Sequence, residues 1–271
     1  MIRDIEYKDL LFFEKLKNLN KVSHFSTTRQ GGVSSGEFSS LNLGNYSDDS
    51  SINIYENRSI VARKFHIDTE KLITPHQTHG CEVIHIDELF FNQTKSQQIE
   101  DLYGYDASIT QLEGIFLCVT TADCVPIVLY DPTTQSIGAI HAGWKGTSGR
   151  IVENTINAMN KTFGVRPTDI IACIGPSISI DNYEVGDEVK EIFIENNFIL
   201  DGSNSYLNKE SGKIHLDLKE INRQELIRLG ISANNIEKST LCTFENKELF
   251  FSARRQTIHS GRMLTAIMIN K

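Results

Sequence analysis

One thiol and a few imidazoles, kept far apart along the chain, are the residues best suited to chemistry. His76 and His79 stand three apart in TPHQTHG, His141 ends the apolar run SIGAI and opens HAGWKG, and Cys124 sits in TTADCVPI between two apolar runs. A soft thiolate with two imidazoles makes a three-ligand zinc set, and a catalytic zinc keeps its fourth position open. Cys124, His141 and one of His76 and His79 fit that description. The same residues also fit nucleophilic catalysis, with Cys124 as thiolate, His141 as base, and Asp123 or a backbone carbonyl orienting the imidazole. The two chemistries exclude each other, because a thiolate committed to a metal is not a free nucleophile. The plainer reading is a structural cysteine with hydrogen-bonded histidines.

Two Gly-rich turns each carry a basic residue, Arg29 in TTRQGGVSSG and Lys145 in HAGWKGTSG. Successive N–H groups in such a turn cup an anion while the cation clamps it, although many turns of this composition are ordinary surface loops. Trp144, the only tryptophan, is suited to stacking on a planar base or to packing. Arg254, Arg255 and Arg262 read first as partners of acidic surface. Cys118, inside an apolar run, reads as core.

Elements must bring these residues together. Residues 52–65 place Ile52, Tyr55, Ile60, Val61 and Phe65 at helical steps, and short strands are expected at Leu72–Thr74, Val83–Ile86 and Ala107–Thr110. Asn92 to Glu100 reads as a polar excursion. GIFLCVT, CVPIVLYD and QSIGAIHAG read as three adjacent strands. Ser148 to Phe163 reads as a helix stopped by Gly164. A strand at DIIACIG, helices at 187–196 and 216–229, and strand-like segments at Leu249–Ser252 and Met263–Ile269 follow. This order favours an α+β domain with mixed β-sheets packed with flanking helices, a single domain over 1–271, rather than a clean parallel sheet. No G-x-G-x-x-G or Walker motif occurs.

Composition narrows the partners. The chain has 271 residues, 39% hydrophobic and 23% charged, enough for a substantial core. Its net charge of −8, with no segregated basic face, disfavours nucleic acid. The acidic start MIRDIEYKDLL lacks the basic end of a signal peptide, and no run approaches the roughly 18 apolar residues of a membrane span, so a cytoplasmic protein is expected. Five widely spaced cysteines without C-x-x-C indicate neither a disulfide framework nor a zinc ribbon. No protein partner is readable from the sequence.

The ordered set STTRQGGVS, SLNLG, PHQTHG, DASIT, TTADCVPI, AIHAGWKGT, IGPSISIDNYEVGDEV, LCTF, LFFSARRQ and SGRM resembles the laccase-domain family, also called multicopper polyphenol oxidase or YfiH-type proteins. The likeness runs from about residue 24 to the C-terminus, with TADC and HAGWKG as its signature. It implies an intracellular zinc-containing purine nucleoside phosphorylase acting on adenosine, inosine and S-methyl-5′-thioadenosine with phosphate, with accompanying adenosine deamination. By position it implies His79, Cys124 and His141 as metal ligands and places Arg29 in an anion-binding stretch. Asn42, His76, Asp123 and Lys145 match motif positions, and Asn42, His76 and Lys145 are taken with Arg29 as substrate-binding candidates. Where many relatives carry Pro-Cys-Cys before Tyr-Glu-Val, this chain has SISIDNYEV.

The oxidase name meets an obstacle in the histidine count. A four-copper centre needs on the order of ten histidine ligands, and the chain has eight, none in a His-x-His pair. A true laccase reaction is therefore disfavoured, and the metal that the resemblance implies is zinc, with copper the alternative. A zinc ion that lowers the pKa of its water to roughly 7 suits deamination at C6 of adenine, with Asp123 or His76 as proton shuttle. For phosphorolysis, Arg29, with Lys145, is the expected phosphate-orienting pair.

Overall fold

The apolar runs of the centre alternate between two buried faces, which is why they read as continuous. Phe116 and Cys118 point to one side of their strand and Leu117 and Val119 to the other, and all four are buried. A strand covered on both faces loses the polar alternation of a half-exposed one. The computed structural model describes residues 1–3 and 9–271. Part of the start read above for a leader, residues 4–8, lies outside the described residues.

Two six-stranded sheets and a small three-stranded one organise the described residues. The first runs Ile2–Arg3, Leu10–Phe12, Val22–Thr27, Met263–Ile269, Phe116–Thr121, Leu72–Ile73. The second runs Ile236–Lys238, Ile171–Ile174, Val125–Asp131, Ser136–Ala142, Ala107–Thr110, Val83–His85. Both mix parallel with antiparallel pairs. They pack face to face through Leu117, Val119 and Ile267 on one side and Val128, Tyr130 and Ile137 on the other. The helix Ser51–Lys64 covers the outer face of the first sheet with Val61 and Ala62, against Phe25, Phe116 and Leu264. Helices Ile151–Phe163, Asp187–Glu195 and Leu218–Arg228 cover the second, where Ile156, Phe193 and Ile221 join Ile127 and Leu129 in one core. The result is one compact domain of mixed sheets with flanking helices, the class read from the sequence.

Several local expectations change. GIFLCVT does not pair with CVPIVLYD. Its strand lies in the first sheet, and Thr-Ala-Asp carries the chain across to the second, so only the second and third runs are adjacent. Part of the polar excursion is helical, Lys95–Asp101, because Thr94 and Gln97 form a reciprocal capping box. The helix expected from Ser148 begins at Ile151, with a separate turn of helix at Trp144–Ser148 and Arg150 at φ 66° between them. Strand Ile214–Leu216 delays the next helix to Leu218, capped by Asp217. Leu249–Ser252 forms no strand: Leu249 and Phe250 donate back to the Asn246 carbonyl, and Phe250 and Phe251 bury their rings.

Candidate metal centre and its cleft

Strand register brings the distant residues to one end of the second sheet. In the hairpin of Val125–Asp131 and Ser136–Ala142, Val125 pairs with Ala142 and Pro126 with His141. Antiparallel pairing therefore puts Cys124, which precedes one strand, beside the end of the other. On the far side of Ser136–Ala142, Ala107 pairs with Ile140, so Asp106 comes level with His141, whose N–H donates to the Asp106 carbonyl at 2.7 Å. The loop holding His79 leads into Val83–His85, parallel to Ala107–Thr110. The ligand atoms of His79, Cys124 and His141 lie within 4.8 Å of one another, with His79 exposed, Cys124 half-buried and His141 buried.

Asp106 is the hub of this arrangement. Its carboxylate accepts from His141 Nδ1 at 2.7 Å and from the backbone N–H groups of Thr78, His79 and Gly80 at 3.1, 3.0 and 2.7 Å. Nδ1 is thereby engaged and Nε2 is left for the cluster, the arrangement usual for a metal-binding imidazole. Burial pushes the Asp106 carboxyl up, but the His141 contact and the N–H donors more than reverse it, so it ionises below the usual carboxylate range. The same bonds hold His79 at φ 63°, a backbone conformation that side-chain-bearing residues adopt rarely and only when their surroundings impose it.

Asp123, at φ 92°, is clamped in another way. Its oxygens accept from Thr243 Oγ1 at 2.6 Å, Ser252 Oγ at 2.9 Å and the Arg254 N–H at 2.7 Å. With both oxygens engaged and the residue buried, Asp123 fixes the turn before Cys124. Asp106, not Asp123, orients His141.

Burial raises the Cys124 thiol, yet the His141 and His79 imidazoles outweigh it and bring the thiol down to about 6. Burial likewise lowers His141, and the Cys124 and Asp106 charges outweigh that, carrying it up to about 9. The site thus favours a positive charge beside the sulfur. A divalent cation meets that demand as a proton does, and an N₂S donor set is one that zinc accepts. Tight approach is built in at Gly143, where an added Cβ would lie 3.1 Å from Cys124 Sγ and 3.2 Å from His79 Cδ2. Gly146 is held equally close to the Gly80 carbonyl, 3.0 Å from its own would-be Cβ. These two contacts are the physical content of the glycines in HAGWKG.

The cluster forms one wall of a cleft of about 330 Å³, which Tyr46, His76, Gln77 and Arg262 also line. The Arg262 stem crosses Gly44, where a Cβ would stand 2.8 Å from Arg262 Cγ, and its guanidinium is held by the Ser260 and Gly261 carbonyls. Burial lowers its pKa, with Cys124 and Asp123 opposing.

Of the substrate-binding candidates, only His76 lines the cleft. Asn42 is fully buried: Oδ1 accepts from the Gly44 and Arg262 N–H groups at 3.1 and 2.9 Å, so it shapes the wall from behind. Arg29 donates to the Ser39 and Lys247 carbonyls, lies over Phe251, and borders a separate open pocket with Lys247 and Arg255. Lys145 is exposed on Trp144–Ser148, its ammonium 5.6 Å from the Trp144 ring centroid, and Trp144 packs against the core. Cys118 is core, its thiol pushed up to about 12 by burial. Sequence reasoning missed Asp106 and Tyr46 and set Arg262 aside. DASIT and SGRM were visible as motifs, but only strand pairing shows what their polar residues face.

The fold and cluster meet a known family here. Residues 23–270 match the family model described as multi-copper polyphenol oxidoreductase laccase. The chain is 41% identical, over all of both chains, to a purine nucleoside phosphorylase of Bacteroides thetaiotaomicron. It is 40% identical to an adenosine deaminase of an unknown prokaryotic organism, covering 95% of this chain and 99% of that one. Among solved structures, YfiH of Bacillus licheniformis superposes with a TM-score of 0.87 at 33% identity over 97% of each chain. YlmD of Geobacillus stearothermophilus follows at 0.85, 30% and 93% of each chain. The chain belongs to the laccase-like multi-copper polyphenol oxidoreductase family. Despite that description, the described residues gather one group of three or more His, Cys, Asp or Glu donors. No helix among them is long and apolar enough to cross a membrane.

Proposed function

We propose that this chain is a purine nucleoside phosphorylase. It cleaves adenosine, inosine and S-methyl-5′-thioadenosine with phosphate to the free base and the (methylthio)ribose 1-phosphate, and deaminates adenosine at the same site. The observation that carries the reading is the convergence of His79, Cys124 and His141 on a cleft of about 330 Å³ that also contains the Arg262 cation. The phosphorylase and deaminase relatives support it. Cytoplasmic nucleosides and phosphate are the partners it requires.

His79, Cys124 and His141 would hold the metal, zinc in this reading with copper the alternative, since two imidazoles and one thiolate suit either ion. When bound, such an ion supplies Lewis acidity at an open coordination position. The other roles belong to the chain. Asp106 fixes the His141 ring. Arg262 binds phosphate and turns it toward the anomeric carbon, the part first given to Arg29 and Lys145, because it is the cation that lines the cleft. His76 moves the proton: it lines the cleft, and no protein hydrogen bond engages its ring nitrogens among the described residues, whereas Asp123 has both oxygens occupied. The lowered Cys124 thiol beside His141 also favours a second reading, a cysteine hydrolase, in which a thioester would be trapped at Cys124 in metal-stripped protein.

The test is base release from inosine with and without phosphate. Release should require phosphate and yield ribose 1-phosphate, and His79→Ala and Cys124→Ala should remove both metal and turnover. Loss of the Arg262 charge in Arg262→Ala should raise the KM for phosphate about tenfold or more, while Arg29→Ala leaves it in place. Base release that persists in metal-stripped protein, or without phosphate, defeats the reading.

A further inference from the structure

Neither the metal ligands nor the phosphate cation accounts for the aromatic ring in the cleft wall. Tyr46 stacks on His76 with ring centroids 3.7 Å apart and planes 10° apart, and Tyr103 meets His76 edge-on at 4.7 Å. The ring beneath Tyr46 is anchored: His76 N–H donates to the Leu102 carbonyl at 2.8 Å, and the His76 carbonyl accepts from Gly104 at 3.0 Å. The turn that presents Tyr46 is anchored too, through Gly44 N–H to Asn42 Oδ1 and Ser47 N–H to the Gly44 carbonyl, both 3.1 Å. Nevertheless Tyr46 is 51% exposed and lines the cleft. Stacking on His76 consumes one face of the phenol ring, so the exposure belongs to the other face and the edge.

A rigidly backed aromatic ring with a free face, set in a cleft that also holds a cation and a metal-binding cluster, matches the parts of a nucleoside and its phosphate. Phosphate needs the cation, which leaves the planar base for the aromatic ring. We propose that the outer face of Tyr46, supported by His76 and Tyr103, is the platform on which the purine base stacks. This rests on the nucleoside reading above and adds a specificity to it. Stacking rewards π-surface and ignores ring substituents, so the platform favours the two-ring purines over pyrimidines and accepts adenine and hypoxanthine alike. The sequence offered Trp144 for stacking, and Tyr46 takes that part because Trp144 is spent on the core.

Calorimetric titration of the zinc-loaded protein with hypoxanthine, and separately with ribose 1-phosphate, tests the platform in the parent, Tyr46→Ala, Tyr46→Leu and Tyr46→Phe. Leucine keeps an apolar contact on His76 while removing the π-face, so it separates stacking from local packing. The Ala and Leu variants should bind hypoxanthine about fivefold to a hundredfold more weakly, with ribose 1-phosphate affinity and metal content unchanged, and the Phe variant should retain parental affinity. Parental hypoxanthine affinity in either the Ala or the Leu variant, with inosine phosphorolysis by the parent intact, overturns the platform and leaves the nucleoside reading standing. A parent that binds neither base nor nucleoside overturns both.

Discussion

Asp106 carries more of the site than any residue that touches the cleft. One carboxylate holds the His141 ring by Nδ1 and the His79 backbone by its N–H, so both imidazoles depend on it. Asp106→Asn replaces one acceptor oxygen with a donor facing backbone N–H groups. Metal affinity, measured by competition with a chelator, should fall about 10- to 100-fold, and an unchanged affinity would make Asp106 a bystander. At this scale the sequence discloses residue types and withholds roles. Cys124 and His141 stand out because thiol and imidazole are unusual at the ends of apolar runs. Asp106, one acid among thirty-five Asp and Glu, is distinguished only by pairing with a strand thirty-five residues away.

Elements convert those residues into a site through register. The strands Val125–Asp131 and Ser136–Ala142 were legible as apolar runs, and their hairpin puts Cys124 and His141 side by side. What the sequence hid is the crossover at Thr121–Asp123, since an apolar run does not say which sheet it joins, and the redirection depends on a positive φ at a non-glycine residue, Asp123. The helix Lys95–Asp101 was hidden for a different reason: its residues are polar, and a capping box rather than an apolar face starts it. Gly143, at φ −72°, has a backbone any residue adopts, so Gly143→Ala is purely a question of space. The new methyl would press on Cys124 Sγ and His79 Cδ2 from 3.1 and 3.2 Å. Metal stoichiometry after dialysis should drop while the far-ultraviolet circular dichroism stays that of the parent, and full metal retention would show that the loop yields.

Across the whole molecule, burial of polar groups makes stability depend on pH. His24, 3% exposed in the first sheet, accepts the Phe13 N–H at Nε2 at 2.9 Å, and burial holds its pKa down to about 4 from 6.5. The unfolded chain therefore takes up a proton that the folded one refuses between those values. The His24 contribution is complete above about 6.5 and is lost as pH falls toward about 4, by about 3 kcal/mol in total. Urea denaturation at several pH values should show the stability difference between parent and His24→Leu shifting by that amount across the window, in favour of the leucine variant at the acid end. A difference independent of pH would mean that His24 does not resist protonation. The layered fold was legible at this scale as a class, because strands and helices were interspersed. The partition of strands between two facing sheets was not, since it is settled by which faces meet in the core.

The central claim is that His79, Cys124 and His141 hold one cation together, and elemental analysis of freshly purified parent and Cys124→Ala protein tests it most directly. The account predicts close to one zinc per chain in the parent and little in the variant. A parent carrying no transition metal, or a variant that keeps the parent's full complement, would contradict it.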